Sequence, residues 1–257
     1  MKLVEPAIPK SESAFEAMRR DIVSGVLAPG QPLRMAYLQK LYGLGATPIR
    51  EALSRLEEKR MAVLVPNRGY TVAPVSLAEL EDLELARETV ECALLEDAIA
   101  HGDTQWEAEI VAAHYSLSRC AMPIGSNDAG VRLHWVDIHD GFHRRLVAAA
   151  RSSWLKSFQD QTLEQLQRHH QALLFHPDAV NPERPSAHDP AMEAMLRDVL
   201  ALEPHTRLMQ ATLDRDTAAA STLLRAHIRL ALDLHRAISG TKAGTGTAPS
   251  PLKRVAG

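Results

Sequence analysis

Apolar positions recur at helical spacing along most of the chain. Between residues 47 and 57, Ile49, Ala52, Leu53 and Leu56 fall three and four apart, which gives a helix one buried face. Thr47 stands where it would cap the first turn. Pro48 then takes the first helical position, where a missing N–H costs nothing. Arg50 and Arg55 lie off the apolar face. Upstream, Leu38 to Leu41 is a short amphipathic helix and Gly43-Leu44-Gly45-Ala46 a turn, so the pair reads as a helix-turn-helix. Downstream, the apolar period shortens. Ala62-Val63-Leu64-Val65 and Tyr70-Thr71-Val72-Ala73 are two strands about the turn Pro66-Asn67-Arg68-Gly69, a hairpin that serves as a wing.

Beyond the wing the pattern is helical throughout. Capping boxes at Ser13-x-x-Glu16, Ser76-x-x-Glu79 and Thr104-x-x-Glu107 predict helix starts. The first helix runs to about Ser24. Long helices follow over 77–100, 104–120, 131–150 and 153–174, then shorter ones over 191–200 and 204–213, and a last over 217–238. Residues 122–130 form a loop. Residues 176–190 hold four prolines and read as a long loop or lid. The fold class is therefore mainly α: an N-terminal winged helix-turn-helix with a small β-wing, followed by an antiparallel all-α bundle of six or seven helices. The division is a flexible N-terminus (1–11), a DNA-binding domain (12–75), a ligand-binding and dimerisation domain (76–239) and a disordered tail (240–257).

Charge sharpens this division. Residues 1–75 carry eleven Lys plus Arg against seven Asp plus Glu, while the rest carries eighteen against twenty-five. A basic front on an acidic body suits a DNA reader with a separate sensing domain. No apolar run approaches a membrane span, and Met1 to Lys10 lacks the hydrophobic centre of a signal peptide, so a cytoplasmic protein is expected. Cys92 and Cys120 form no CxxC pair and read as thiols of a reducing compartment.

Pro29-Gly30, Leu33, Leu38, Gly43, Thr47-Pro48-Ile49-Arg50-Glu51-Ala52-Leu53 and Asn67-Arg68-Gly69 agree in order and spacing with one family. Over residues 12–75 the chain resembles the GntR family of bacterial transcription regulators. The order of a winged helix and then a helical bundle is similar to the fatty-acid-regulator branch, whose effector domain is all-helical. The resemblance implies a homodimer that grips an operator duplex through Arg34, Thr47, Arg50, Arg55, Asn67, Arg68 and Gly69. One departure stands out. The family carries Ser-Arg before the Thr-Pro pair, and this chain has Gly45-Ala46. A lost base-reading arginine relaxes specificity by roughly 1–3 kcal/mol. Glutarate-responsive repressors resemble this chain in that small-residue turn, so an altered operator is expected rather than lost binding.

Twelve histidines is a high count for the length. His139 and His143 lie one turn apart on one helix face and can grip one divalent metal. His205 and His227 sit on later helices, which antiparallel packing can bring to the same level. Effector domains of the resembled branch bind a divalent metal through an aspartate, a Phe-His histidine four residues later, and two further histidines. His143, His205 and His227 match that pattern, and His139 replaces the aspartate. Asp140 lies about 100° round the helix and is a poor substitute. An all-nitrogen site favours Zn, with Ni next, over Mg or Ca. Arg168 and the pair His169-His170 are expected to face the pocket. Arg87, which pairs with Glu91 at i,i+4 as on a solvated face, is by the resemblance a clamp for a carboxylate effector. His114, His134, His176, His188 and His235 are assigned to surface or packing.

The reading that follows is a ligand-responsive transcription regulator, a repressor, sensing a small organic acid at a metal-containing pocket. It is not an enzyme. The alternatives are an all-helical histidine-rich metalloenzyme, which leaves the front domain unexplained, and a regulator that binds its effector without metal.

Overall fold

The computed structural model describes residues 9–124, 129–172 and 190–238. The predicted lid up to residue 189 and the tail 240–257 lie outside the described residues. Helix α1 (Lys10–Val23) follows Pro9 rather than opening at the Ser13 capping box. The Ser13 N–H already donates to Pro9 O at 3.0 Å, so Ser13 sits inside the first turn and its side chain has no cap to make. Helix α2 (Met35–Tyr42) ends at Gly43, whose φ of 65° is the left-handed stop that favours glycine. Helix α3 (Ala46–Glu58) begins two residues earlier than predicted, with Gly45 in the cap position and no side-chain cap bond. Thr47 is therefore not the cap: it lies in the first turn, exposed.

Phe15, Met18, Ile22, Leu38, Ile49, Leu53 and Leu56 meet in one core among these three helices. Strands β1 (Ala62–Val65) and β2 (Gly69–Val72) pair antiparallel, with Val65 opposite Gly69. Asn67 at φ 62° and Gly69 at φ 80° turn the chain between them. Residues 31–33 add a partial third strand, through Leu33 N to Tyr70 O at 2.8 Å and Val72 N to Gln31 O at 2.9 Å.

The body has seven helices among the described residues: α4 (Leu77–His101), α5 (Thr104–Arg119), α6 (Ala129–Leu146), α7 (Ser153–His170), α8 (Pro190–Leu200), α9 (Leu202–Leu213) and α10 (Thr217–Ile238). Ser76 caps α4 as its spacing predicts, its Oγ accepting from Glu79 N at 3.1 Å. For α5 the cap is Asp103, which accepts from Trp106 N, and not Thr104. Its carboxylate occupies the position one residue outside the helix, where the backbone is extended. Helix α6 stops at Leu146, four residues short of the prediction, in tight turns from Ala148 N to Arg145 O and Ala150 N to Val147 O. Helix α4 packs against α7 and α10, and α5 against α6 and α9. Leu94, Leu95, Ile99, Trp106, Ile110, Phe142, Leu208, Leu224 and Ile228 fill the centre. Each such side chain contributes about 1.5–3 kcal/mol on burial. No described helix is long and apolar enough to cross a membrane.

Candidate metal centre and nucleic-acid interface

The packing of α6 against α9 and α10 brings four imidazoles together. One ring nitrogen from each of His139, His143, His205 and His227 lies within 4.8 Å of the others. His143 and His227 stack at 5.0 Å between centroids, and His205 meets His227 edge-on at 4.5 Å. Phe142 backs the group, with its ring 5.5 Å from His143 and 5.6 Å from His205.

The hydrogen bonds of the cluster point its lone pairs inward. His205 Nδ1 lies 2.9 Å from Ala201 O, so that nitrogen carries the proton and Nε2 is left with its lone pair. His139 Nδ1 lies 3.1 Å from Asp140 Oδ1 and is tied in the same way. Nε2 of His205, Nδ1 of His227 and both ring nitrogens of His143 are buried with no hydrogen-bond partner. Such orphaned groups are costly unless something accepts their electrons. Burial, and then the neighbouring imidazoles, holds His143 and His227 well below the usual histidine range. Burial and His139 take His205 down to about 3. The rings of His143, His205 and His227 are therefore neutral ligands near pH 7. Borderline donors, neutral, converging and unpartnered, fit a divalent transition metal better than a hard cation.

A cavity of about 70 Å³ opens beside the cluster. That is small against the usual range for drug-sized ligands and suits a molecule of few heavy atoms. Its polar wall holds Arg87, His139, Asp140, Gln167, His170 and His235, and its apolar wall includes Trp135, Leu163, Leu166, Leu196 and Leu234. Arg87 thus reaches the cavity, but its pair with Glu91 is not on a solvated face. Glu84, Arg87 and Glu91 form a buried stripe along α4, with Arg87 Nε 3.2 Å from Glu91 and Nη1 3.6 Å from Glu84. Burial opposes the charge of Arg87, but Glu91, Glu84 and Asp140 outweigh it and hold its pKa above the usual range.

Two predicted cavity residues lie elsewhere. Arg168 Nη1 donates to Ala73 O and Pro74 O, each at 2.8 Å, at the seam between the winged helix and the bundle. His169 is bonded to Gln165 O at 2.8 Å and faces Glu79 at 3.1 Å. Both sit roughly 110–150° round α7 from the centre of the face that reaches the cavity. Of the His169-His170 pair it is His170 that lines the cavity, and the structure adds His235, whose ring stacks on that of His170 at 4.9 Å. His235, assigned to surface or packing, is 1% exposed and lines the cavity. The 3-and-4 spacing of Glu84, Arg87 and Glu91 was the one sequence signal for this polar interior.

In the front domain, Arg34, Thr47, Arg50, Asn67, Arg68 and Gly69 are all exposed. With no side-chain cap, the first-turn N–H groups of α3 are open to an anion such as a phosphate. Arg55 is turned the other way. Its guanidinium lies 2.6 Å from Glu12 and 4.0 Å above the Phe15 ring, so it ties α3 to α1.

Residues 10–72 match the gntR family of bacterial regulatory proteins, and residues 82–230 match the FCD domain. The transcriptional repressor GlaR of Escherichia coli (strain K12) is 32% identical over 220 residues, 85% of this chain and 92% of that protein. The transcriptional regulator BphR of Paraburkholderia xenovorans (strain LB400) is 29% identical over 88% of this chain and 84% of that protein. Among solved structures, Escherichia coli McbR/YncC superposes with a TM-score of 0.65 at 19% identity, covering 90% of this chain and 98% of that one. That last likeness bears on the fold.

Proposed function

The chain belongs to the gntR family of bacterial regulatory proteins and carries an FCD domain, and from that membership we propose a repressor whose hold on an operator is set by a small organic acid bound beside a metal. As a member of that family it is a transcription regulator and not an enzyme. Repression follows the name of the relative GlaR. Two winged helices in a homodimer read a short palindrome in the cytoplasm, with α3 in the major groove. Thr47, Arg50 and Arg34 meet the backbone and base edges, and Asn67, Arg68 and Gly69 at the wing tip reach the flanking groove.

One observation carries the sensing half: four buried imidazoles converge with unpartnered nitrogens. His139, His143, His205 and His227 hold the metal, Zn or Ni. When bound, the ion supplies a Lewis-acidic position for a carboxylate oxygen. Asp140 keeps His139 in the ligating tautomer, and Arg87, through its unpaired Nη2, meets the acid from the side. The aliphatic wall excludes water. An effector that binds one spacing of the two reading heads better than another shifts the operator equilibrium by that difference.

The test is elemental analysis of the purified protein together with a gel shift on its upstream intergenic DNA. One transition-metal ion per chain, lost in His143→Ala and His227→Ala, supports the metal. A thermal-shift screen of small carboxylates should show stabilisation that a chelator abolishes. Stabilisation indifferent to chelator and to both variants would sink the metal-anchored version. The absence of any gel shift would sink the operator half.

A further inference from the structure

Helix α7 has two working faces. Leu163, Leu166, Gln167 and His170 line the effector cavity. Glu164, Gln165, Arg168 and Gln171 reach the winged helix. Glu164 pairs with Arg19 of α1 at 2.6 Å, Gln165 Nε2 donates to Lys59 O at 2.6 Å, and Gln171 Nε2 donates to Ser24 O at 3.4 Å. Arg168 is the hub. It holds Ala73 O and Pro74 O, is braced by Gln165 Oε1 at 3.1 Å, and lies 3.6 Å from Glu79 in the first turn of α4. At 100° per residue the two faces are centred roughly 140° apart. A rigid helix cannot turn one without displacing the other.

The cavity face is itself tied to the metal centre. Gln167 Nε2 donates to Asp140 Oδ2, and the other oxygen of that carboxylate holds His139. A second cleft, lined by Val23 of α1 together with Leu133, Asp137 and Gln171, shares Val136, Gln167 and His170 with the effector cavity. It leaves open space beside α7 at the seam.

We infer that α7 is the element that carries occupancy of the cavity to the reading head of the same chain, with Arg168 as the positioning residue that clamps the 73–74 linker. The inference rests on the effector reading of the cavity. Arg168 is 1% exposed, and its Nη1 contacts are both backbone carbonyls, so a shift of α7 must move the linker or strip a buried charge of its acceptors.

Amide hydrogen exchange of the full-length protein tests it, with added Zn²⁺ as one probe and Gln167→Leu as another. In the parent, Gln167→Leu should speed exchange across residues 59–75 several-fold, and Zn²⁺ should slow it. With Arg168→Gln in the background, neither should alter that segment, although zinc uptake is retained. Arg168→Lys should restore part of the response. A response of 59–75 that persists undiminished in Arg168→Gln would overturn the proposal, as would a silent Gln167→Leu in the parent. If Arg168→Gln loses its helical signal, Gln165→Leu, which removes the bond to Lys59 O and the brace on Arg168 Nε but leaves the Arg168 bonds to Ala73 O and Pro74 O, replaces it. Zinc that fails to bind the parent sinks the metal reading, while Gln167→Leu still decides the coupling.

Discussion

Asp140 and His139 are neighbours in the chain, yet their side chains are bonded, Oδ1 to Nδ1 at 3.1 Å. The backbone turn that makes Asp140 a poor ligand makes it a good support. Its second oxygen accepts from Gln167 of α7. Burial alone would raise its pKa, but the bond to His139, the bond from Gln167 and the charge of Arg87 outweigh that and keep it ionised. Supports of this kind contribute about 10–100-fold to metal affinity. Asp140→Ala should therefore weaken zinc binding by a factor in that range, read by competition with a chromophoric chelator. Unchanged affinity would remove Asp140 from the site.

The metal should also stabilise the fold. At a free concentration one hundred times its dissociation constant, a ligand that binds only the native state adds about 2.7 kcal/mol. A chelator should lower the melting temperature of the parent by several degrees. It should leave His143→Phe unmoved, since that variant removes both orphaned nitrogens of one ring.

Phe142 is 0% exposed and packs on the rings of His143 and His205. Phe142→Ala should cost about 3–5 kcal/mol, measured by denaturant unfolding. It should also loosen metal binding, because both rings lose their backing. A stability loss with metal affinity intact would show that the rings are held by their own helices.

Arg50 and Arg55 should separate sharply. Arg50→Ala should weaken operator binding and reduce the salt slope by about one unit, read by fluorescence anisotropy across a salt series. Arg55→Ala should leave the slope unchanged, since that guanidinium is committed to Glu12 and Phe15. Equal losses of slope would mean that Arg55 leaves α1 to meet the duplex.

The caps give a test of local structure. Ser76→Ala should cost about 1 kcal/mol, because it removes the acceptor for Glu79 N. Thr47→Ala should leave the melting temperature in place and act only on DNA affinity, since Thr47 caps nothing.

Which of these relationships could be read beforehand follows from range. The helix-turn-helix, the wing, the cap at Ser76 and the shared face of His139 and His143 are set by neighbours a few residues apart. Backbone geometry makes such neighbours meet in any fold, so the residues alone determined them. The caps at Gly45 and Asp103 escaped for the opposite reason: adjacent residues offered competing starts, and tertiary placement chose between them. The meeting of His205 and His227 with His139 needs contacts 60 to 90 residues apart, which only the way α9 and α10 pack against α6 provides. Resemblance anticipated that meeting; periodicity could not. The packing of α4 against α7 and α10 also buried Glu84, Arg87 and Glu91, and stacked His170 on His235. Arg168 and His169 show the limit most plainly. A helix repeats every 3.6 residues, so a sequence can say that neighbours face different ways, but only the surrounding helices decide which way leads to the cavity and which to the seam.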